Sequence, residues 1–353
     1  MSDIVINYSE NILNATLEAL KASRLKSLVK PNMRVSLKPN MVLAKPPSEG
    51  ATTHAEVVEG VIIFLKELGV RNIEIIESAW IGDDTKRVYR VCGYDKLSEK
   101  YGIALHDLKD DKIRKVKTAD YNFEICERAL ETDFLINIPV LKAHCQTRLT
   151  CCLKNLKGCI SDREKRNFHN MGLHRPIAYL NKAIKTHFCV IDAVCGDLSF
   201  EEGGNPVTRN MIICGEDPVL LDSYCAALIG YRADEIGYIP IAAELKIGRL
   251  YSGDTEIQTL NADKKPLASN TERGIAGRLA GYTDEDGACS ACYSALISAI
   301  NRIGYKGEKV SVGQGFRGKT GKIGCGNCAS GFTNYIKGCP PTAAEVAEFL
   351  RKV

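Results

Sequence analysis

The chain has 353 residues, 45% of them hydrophobic and 25% charged, ordinary values for a soluble globular protein with material for two to three domains. Disorder, collagen-like repeats and coiled coils are thereby excluded. A net charge of +4 from 47 basic and 43 acidic residues is too small to point to nucleic acid, and no apolar stretch reaches the ~18 residues of a membrane helix.

The opening MSDIVINYSENILNATLEAL has no basic region ahead of an apolar core, so the expectation is a chain without a secretory signal, working in the cytoplasm. MRVSLKPNM (33–41) reads as a buried strand, AEVVEGVIIFLKELGV (55–70) as an amphipathic helix and NIEIIES (72–78) as the next strand. DFLINIPVL (133–141), HFCVIDAV (187–194) and NMIICGE (210–216) follow as further strands. DPVLLDSYCAALIG (217–230) reads as a helix with Asp217 as N-cap and Pro218 at its first position. This alternation predicts an α/β fold, a Rossmann-like parallel sheet with right-handed crossovers. Between about 250 and 285 the chain turns polar and glycine-rich, the mark of a boundary. The expected units are 1–265, an α/β region with an anionic-ligand cleft and room for two subdomains, and 270–353, a small cysteine-rich α/β domain. In that tail CYSALISAINRIGY (292–305) reads as a helix and EKVSVGQG (308–315) as a strand.

The 15 cysteines are the unusual number. A chain this long needs no disulfide staples, and an odd count leaves one thiol over; the expectation is a reducing cytoplasm, that of an anaerobe, with some thiols on a metal centre. Cys92, Cys126, Cys189, Cys214 and Cys225 lie in apolar runs and read as small buried hydrophobes. Cys289-Ser-Ala-Cys292 and Cys325-Gly-Asn-Cys328, followed by Gly338-Cys339-Pro340-Pro341, are a metal pattern, because two intervening residues let both thiolates of a pair reach one centre. A zinc site built on the two pairs would leave Cys339 idle, whereas a [4Fe–4S] cluster takes four thiolates and suits a Cys-Pro turn. The cluster is therefore preferred over zinc and over free redox thiols, with five candidates for four places.

In open parallel sheets ligands bind beyond the carboxyl ends of the strands. Lys38, Asn40, Lys142, His144, Lys154 and Asn155 all fall at or just after such ends. Together they predict a positive pocket for a carboxylate or phosphate, with Lys142, His144 and Lys154 as catalytic groups and His144 as a base. Asp192, at a strand end, and His169, in KRNFHNMGLH, join Lys38, Asn40 and Asn155 as expected substrate-binding residues. Glu201 and Glu202 read as a solvated pair on a glycine loop. Cys145, Cys151, Cys152 and Cys159 are irregularly spaced, and their role, like that of Cys325, stays open.

The chain resembles the family called domain of unknown function 362, through Leu37-Lys38-Pro39-Asn40, Thr52-Thr53-His54, Pro139-Val140-Leu141-Lys142-Ala143-His144, Thr150, Leu153-Lys154-Asn155-Leu156-Lys157-Gly158, Asp192, Asp217-Pro218, Asp222 and the Gly-Cys-Pro-Pro end. The resemblance implies an iron–sulfur protein whose cluster ligands are Cys289, Cys292, Cys328 and Cys339, with Cys325 as an extra thiol. The segment from Pro139 to Gly158 is also similar to the cofactor-holding stretch of nickel-dependent lactate racemases, with Lys154 and His144 matching a lysine and a histidine there. The Gly-Gly-Arg that precedes that lysine is replaced here by Cys151-Cys152-Leu153.

Three functions follow as expectations. The first is an iron–sulfur oxidoreductase acting on an anionic small molecule, served by a redox partner such as a ferredoxin. The second is an electron carrier or docking module without a substrate of its own. The third is a lyase or isomerase with a structural cluster. Neither nucleic acid nor membrane is an expected partner, and a homodimer is left open.

Overall fold

A computed structural model describes residues 2–265 and 275–353, apart from the side chains of His169, Asn170 and Ser290. The eight strands of the main sheet are β1 (Ile4–Tyr8), β2 (Arg34–Pro39), β3 (Asn72–Glu77), β4 (Ala104–Asp107), β5 (Phe134–Ile138), β6 (Phe188–Asp197), β7 (Pro206–Gly215) and β8 (Ile257–Leu260). They lie in the order β8-β1-β7-β6-β5-β2-β3-β4, and only β7 runs against its neighbours. The expected α/β class is observed. Within this largely parallel sheet β7 alone is antiparallel, because it turns back directly from β6 through the short loop 198–205 and so needs no crossover helix.

Helices cover the sheet because their apolar faces have nowhere else to go. In α1 (Ile12–Ala22), Asn11 caps the first turn by accepting from Asn14 N–H. It packs on α2 (Ala55–Glu67) so closely that a Cβ on Gly60 would sit 2.8 Å from Thr16. Asp217 caps α3 (Pro218–Leu228) as expected, accepting from Val219 and Leu220 N–H with Pro218 behind it. Two large apolar clusters result, one on each face of the sheet.

The tail builds its own four-stranded parallel sheet, β9 (Thr283–Glu285), β10 (Val310–Val312), β11 (Ile323–Cys325) and β12 (Asn334–Ile336), packed under α4 (Ser290–Ile303) and α5 (Ala343–Leu350). The expected boundary near residues 265–270 falls largely outside the described residues. Within the polar stretch, β8 belongs to the first sheet, paired in parallel with β1. The tail leans on the main region: Phe200 and Cys145 pack in its core, and Ile275 N–H donates to Ser199 Oγ at 3.1 Å.

Candidate functional site

The carboxyl ends of β2 and β3 open into a cavity of about 420 Å³, walled by Lys38, Asn40, Glu77, His144, Lys154 and Asn155 among others. Lys38 is the second-last residue of β2 and Glu77 ends the neighbouring β3, so parallel pairing sets them side by side. Their ion pair, 2.7 Å and almost wholly buried, is completed by Pro39 O at 2.9 Å and Asn155 Oδ1 at 3.3 Å. Gly158 allows this packing: a Cβ there would meet Glu77 Oε1 at 2.0 Å. The Lys38 charge is thus already matched by Glu77.

A relay of amides orders the floor. Asn137 Nδ2 donates to Cys152 O at 2.8 Å, Asn155 Nδ2 to Asn137 Oδ1 at 2.7 Å, and Asn40 Nδ2 to Asn155 Oδ1 at 2.9 Å. Because the first acceptor is a carbonyl, each amide's orientation follows from the one before it.

His144 sits on a hairpin, Lys142–His144 against Arg148–Thr150. Its Nδ1 accepts from Gln146 N–H (3.2 Å) and Thr147 N–H (3.0 Å), which places the ring proton on Nε2, 3.0 Å from Glu201 Oε2. Burial first, and then Lys154 and Lys157, outweigh the Glu201 carboxylate and bring the imidazole down to about 4. The base role expected for His144 is therefore corrected: its Nδ1 lone pair is occupied by backbone donors, and the neutral ring acts as a donor that positions Glu201. Glu201 also accepts from Lys154, which reaches Thr150 Oγ1 at 3.1 Å. Burial raises the Glu201 pKa, but His144, Lys154 and Lys142 outweigh it and hold the carboxyl well below its usual range. The solvated reading of Glu201 is corrected with it. The loop is pinned by Asp197, which accepts from Ser199, Phe200 and Asn205 N–H, so Glu201 is delivered inward.

Lys142 does not line the cavity. Its ammonium lies beneath this loop on Ala51 O (2.7 Å) and Glu201 O (3.0 Å), and burial brings it down to about 8. Asp192 is inside β6 rather than at its end, since a register shift between Ala193 and Cys195 carries the strand on to Asp197. It accepts from His54 Nδ1 at 2.8 Å and His54 N–H at 2.7 Å, locking the start of α2, and it stays clear of the cavity wall. The His169 side chain lies outside the described residues.

The tail cysteines gather on three loops. Cys289 and Cys292 open α4, Cys325 ends β11 with Cys328 one turn on, and Cys339 follows β12. The last two loops are tied together by Gly326 N–H to Ile336 O, Asn327 N–H to Gly338 O and Gly338 N–H to Asn327 Oδ1, each 2.9 Å. A Cβ on Gly326 would stand 3.4 Å from Cys292 Sγ. Cys292 feels the charges of Cys289, Cys325 and Cys339, while Cys328 is hydrogen-bonded by Arg317. A hydrogen bond from Cys292, together with backbone N–H groups at the helix start, outweighs burial and brings Cys289 down to about 6. Thiols alone, close-approaching glycines and a thiolate-favouring helix start fit an iron–sulfur cluster. Cys289 and Ala291 are also part of the cavity wall. A second thiol group lies in the main core: donor atoms of Cys151, Cys152 and Asp222 come within 4.8 Å of one another, fully buried, and could hold a metal ion.

The model of the family described as domain of unknown function (DUF362) matches residues 35–227, more than half of the chain. The chain belongs to the DUF362 family. Its matched part carries the whole Lys38-to-Asp222 constellation and ends before the tail cysteines. A thylakoid-associated protein, sll1697, from Synechocystis sp. is 28% identical over 165 residues, 46% of this chain; the chain thus spans about half (51%) of that relative. The lactate racemase apoprotein from Thermoanaerobacterium thermosaccharolyticum is a similar solved structure at TM-score 0.46 and 16% identity, covering 65% of this chain and 57% of that one. No helix among the described residues of this DUF362 protein is long and apolar enough to cross a membrane.

Of the residues expected at the site, Lys38, Asn40, His144, Lys154 and Asn155 do line one cavity. Glu77, Glu201 and Lys157 line it too and were not expected. Glu77 had a signal, as the acid ending the strand that pairs with the strand of Lys38. Glu201, 47 residues beyond Lys154, had none.

Proposed function

We propose that this DUF362 protein is a cytoplasmic iron–sulfur oxidoreductase acting on an anionic small molecule, with a ferredoxin-like redox partner. The observation that supports it best is the shared wall: Cys289 and Ala291, beside the thiol-rich loops, border the cavity that holds Lys154, Glu201 and His144. Cys289, Cys292, Cys328 and Cys339 would hold a [4Fe–4S] cluster, with Cys325 within charge range of Cys289. When bound, the cluster supplies single electrons at that wall. Lys154, steadied by Glu201 and Thr150, presents a proton to the bound substrate. His144 holds Glu201, and the amide relay keeps Asn155 and Asn40 in place.

The test is anaerobic purification with iron, sulfide, zinc and nickel analysis and EPR of the reduced protein. About four iron and four sulfide per chain with a reduced-cluster signal support the reading. Zinc or nickel in place of iron overturns it. A second reading, a lyase or isomerase with a structural cluster, is favoured by the Lys154–Glu201–His144 arrangement, which suits proton transfer. Turnover of a substrate with no net electron exchange would select it.

A further inference from the structure

The cavity-lining lysines are nearly all neutralised from within. Lys38 is paired with Glu77, Lys154 with Glu201, and Lys165 with Asp162 at 3.0 Å, besides Ser78 Oγ and Ala79 O. Lys157 differs. It is half-buried at the cavity wall and makes neither ion pair nor hydrogen bond among the described residues, its recorded contact being the Phe168 ring at 5.8 Å. The charged groups that bear on it are Lys154, Lys165 and Glu201, and the acid among them already serves His144 and Lys154. The wall also carries Asp83 and Glu202, and its apolar stretch is Met41, Val42, Leu43, Trp80 and Ile81.

Resting on the reading of this cavity as a small-anion site, we propose that Lys157 is its anchor: the Lys157 ammonium takes the carboxylate of a substrate whose apolar body lies along the Met41–Leu43 and Trp80–Ile81 wall, and the lysine takes up a proton as the ligand binds. An unpaired cation beside an apolar surface recognises a carboxylate with a hydrocarbon body rather than a polyanion, since a second or third negative charge would find its lysines already matched. The proton uptake has a physical source. Burial, with Lys154 and Lys165, outweighs Glu201 and brings the free amine down to about 7, so at pH 8 it is mostly neutral until an anion restores its charge.

Trp80, the chain's single tryptophan, lines the cavity and reports binding by fluorescence. The holoprotein is titrated with the straight-chain carboxylates acetate to octanoate, and with inorganic phosphate, from pH 6 to 9. Calorimetry at pH 8 in buffers of different ionisation heat counts the protons. Affinity should rise with chain length, fall about tenfold per pH unit above pH 7, and be accompanied by uptake approaching one proton. Lys157→Met should weaken octanoate binding at least tenfold, whereas Lys157→Arg should retain binding but lose the proton uptake, because a guanidinium is always charged. Octanoate binding with proton uptake unchanged in both variants overturns the role of Lys157 and leaves the anion cavity standing. Phosphate bound more tightly than every carboxylate overturns the substrate class. No response of Trp80 or of the calorimeter to any anion overturns the reading of the cavity itself.

Discussion

Two populations of cysteine divide the molecule. The ten between Cys92 and Cys225 are all buried, while among the five of the tail Cys289 and Cys328 are half-buried and Cys339 is exposed. Burial pushes Cys145 and Cys159 up to about 12 and Cys92 to about 11, whereas Cys289 falls to about 6. The chemistry of the side chain is the same; the difference comes from what surrounds it. Core thiols face side chains that cannot stabilise charge, and burial likewise pushes the tail's Cys325 up to about 12, whereas Cys289 meets backbone N–H groups at a helix start. Cys151 breaks the rule for the core, lowered well below its usual value by hydrogen bonds from Cys152 and Cys225 despite full burial, in the group it forms with Asp222.

The largest effect separates the two populations outright. Cys339→Ser should abolish the ~400 nm absorption of thiolate-to-iron charge transfer and the bound iron. Cys214→Ala, inside β7, should leave both untouched. Loss of the cluster in Cys325→Ser but not in Cys328→Ser would overturn the ligand set in favour of the more buried thiol.

A second test moves to the core's charges, which are buried as deeply as its thiols. Lys38→Met leaves Glu77 as an unpaired carboxylate with 3% of its side chain exposed. Breaking such a pair costs about 3–5 kcal/mol. The midpoint of urea unfolding should fall accordingly, while the iron content of protein that remains folded stays unchanged. A shift below about 1 kcal/mol would mean that water enters and screens the pair.

Most of the sheet was legible in the sequence because its strands are continuous apolar runs, as parallel strands covered on both faces must be. The N-terminal strand β1 and the edge strands β4 and β8 were not, since IVINY follows no turn signal, ALHD is only half apolar and IQTL sits in a polar stretch. The site was legible in its cations and not in its anions. Lys38, Lys154 and Asn155 follow strand ends or the motif that trails one, which chain order reveals. That Glu201 returns to His144 depends on the turn after β6, a tertiary fact with no local mark. The expected basic rim thus becomes a set of ion pairs, with Lys142 turned beneath the loop onto backbone carbonyls and, among the described residues, Lys157 at the cavity wall left without an acid.

Smaller effects appear in pH dependence, and the two histidines act oppositely. Burial alone would lower His54, but the charge and hydrogen bond of Asp192, with Cys195, push it up to about 11. A folded pKa above the unfolded value of 6.5 gives stability that is complete below pH 6.5 and lost as pH climbs towards 11. His144, down at about 4, does the reverse: the unfolded chain takes up a proton first, and stability is lost as pH falls from 6.5 towards 4. Unfolding curves of His54→Gln should therefore approach the native protein's on the alkaline side, and those of His144→Gln should approach it on the acid side. Parallel curves across either window would remove that histidine from the account.

The smallest effect concerns the join between the two regions. Trypsin should cut first between residues 261 and 285, beginning at the Lys264–Lys265 bond of the polar stretch, since the following Lys265–Pro266 bond resists the enzyme. The two fragments should then stay together on gel filtration and keep the ~400 nm absorption, because the tail's core includes Cys145 and Phe200 of the main region and Cys145 Sγ lies 3.2 Å from Ser294 Oγ. An apolar contact of this kind does not depend on the connecting chain. Separation of the fragments on nicking would mean that the connection, rather than the packing, holds Cys289 at the cavity wall, and the wall shared by thiols and lysines would lose its structural basis.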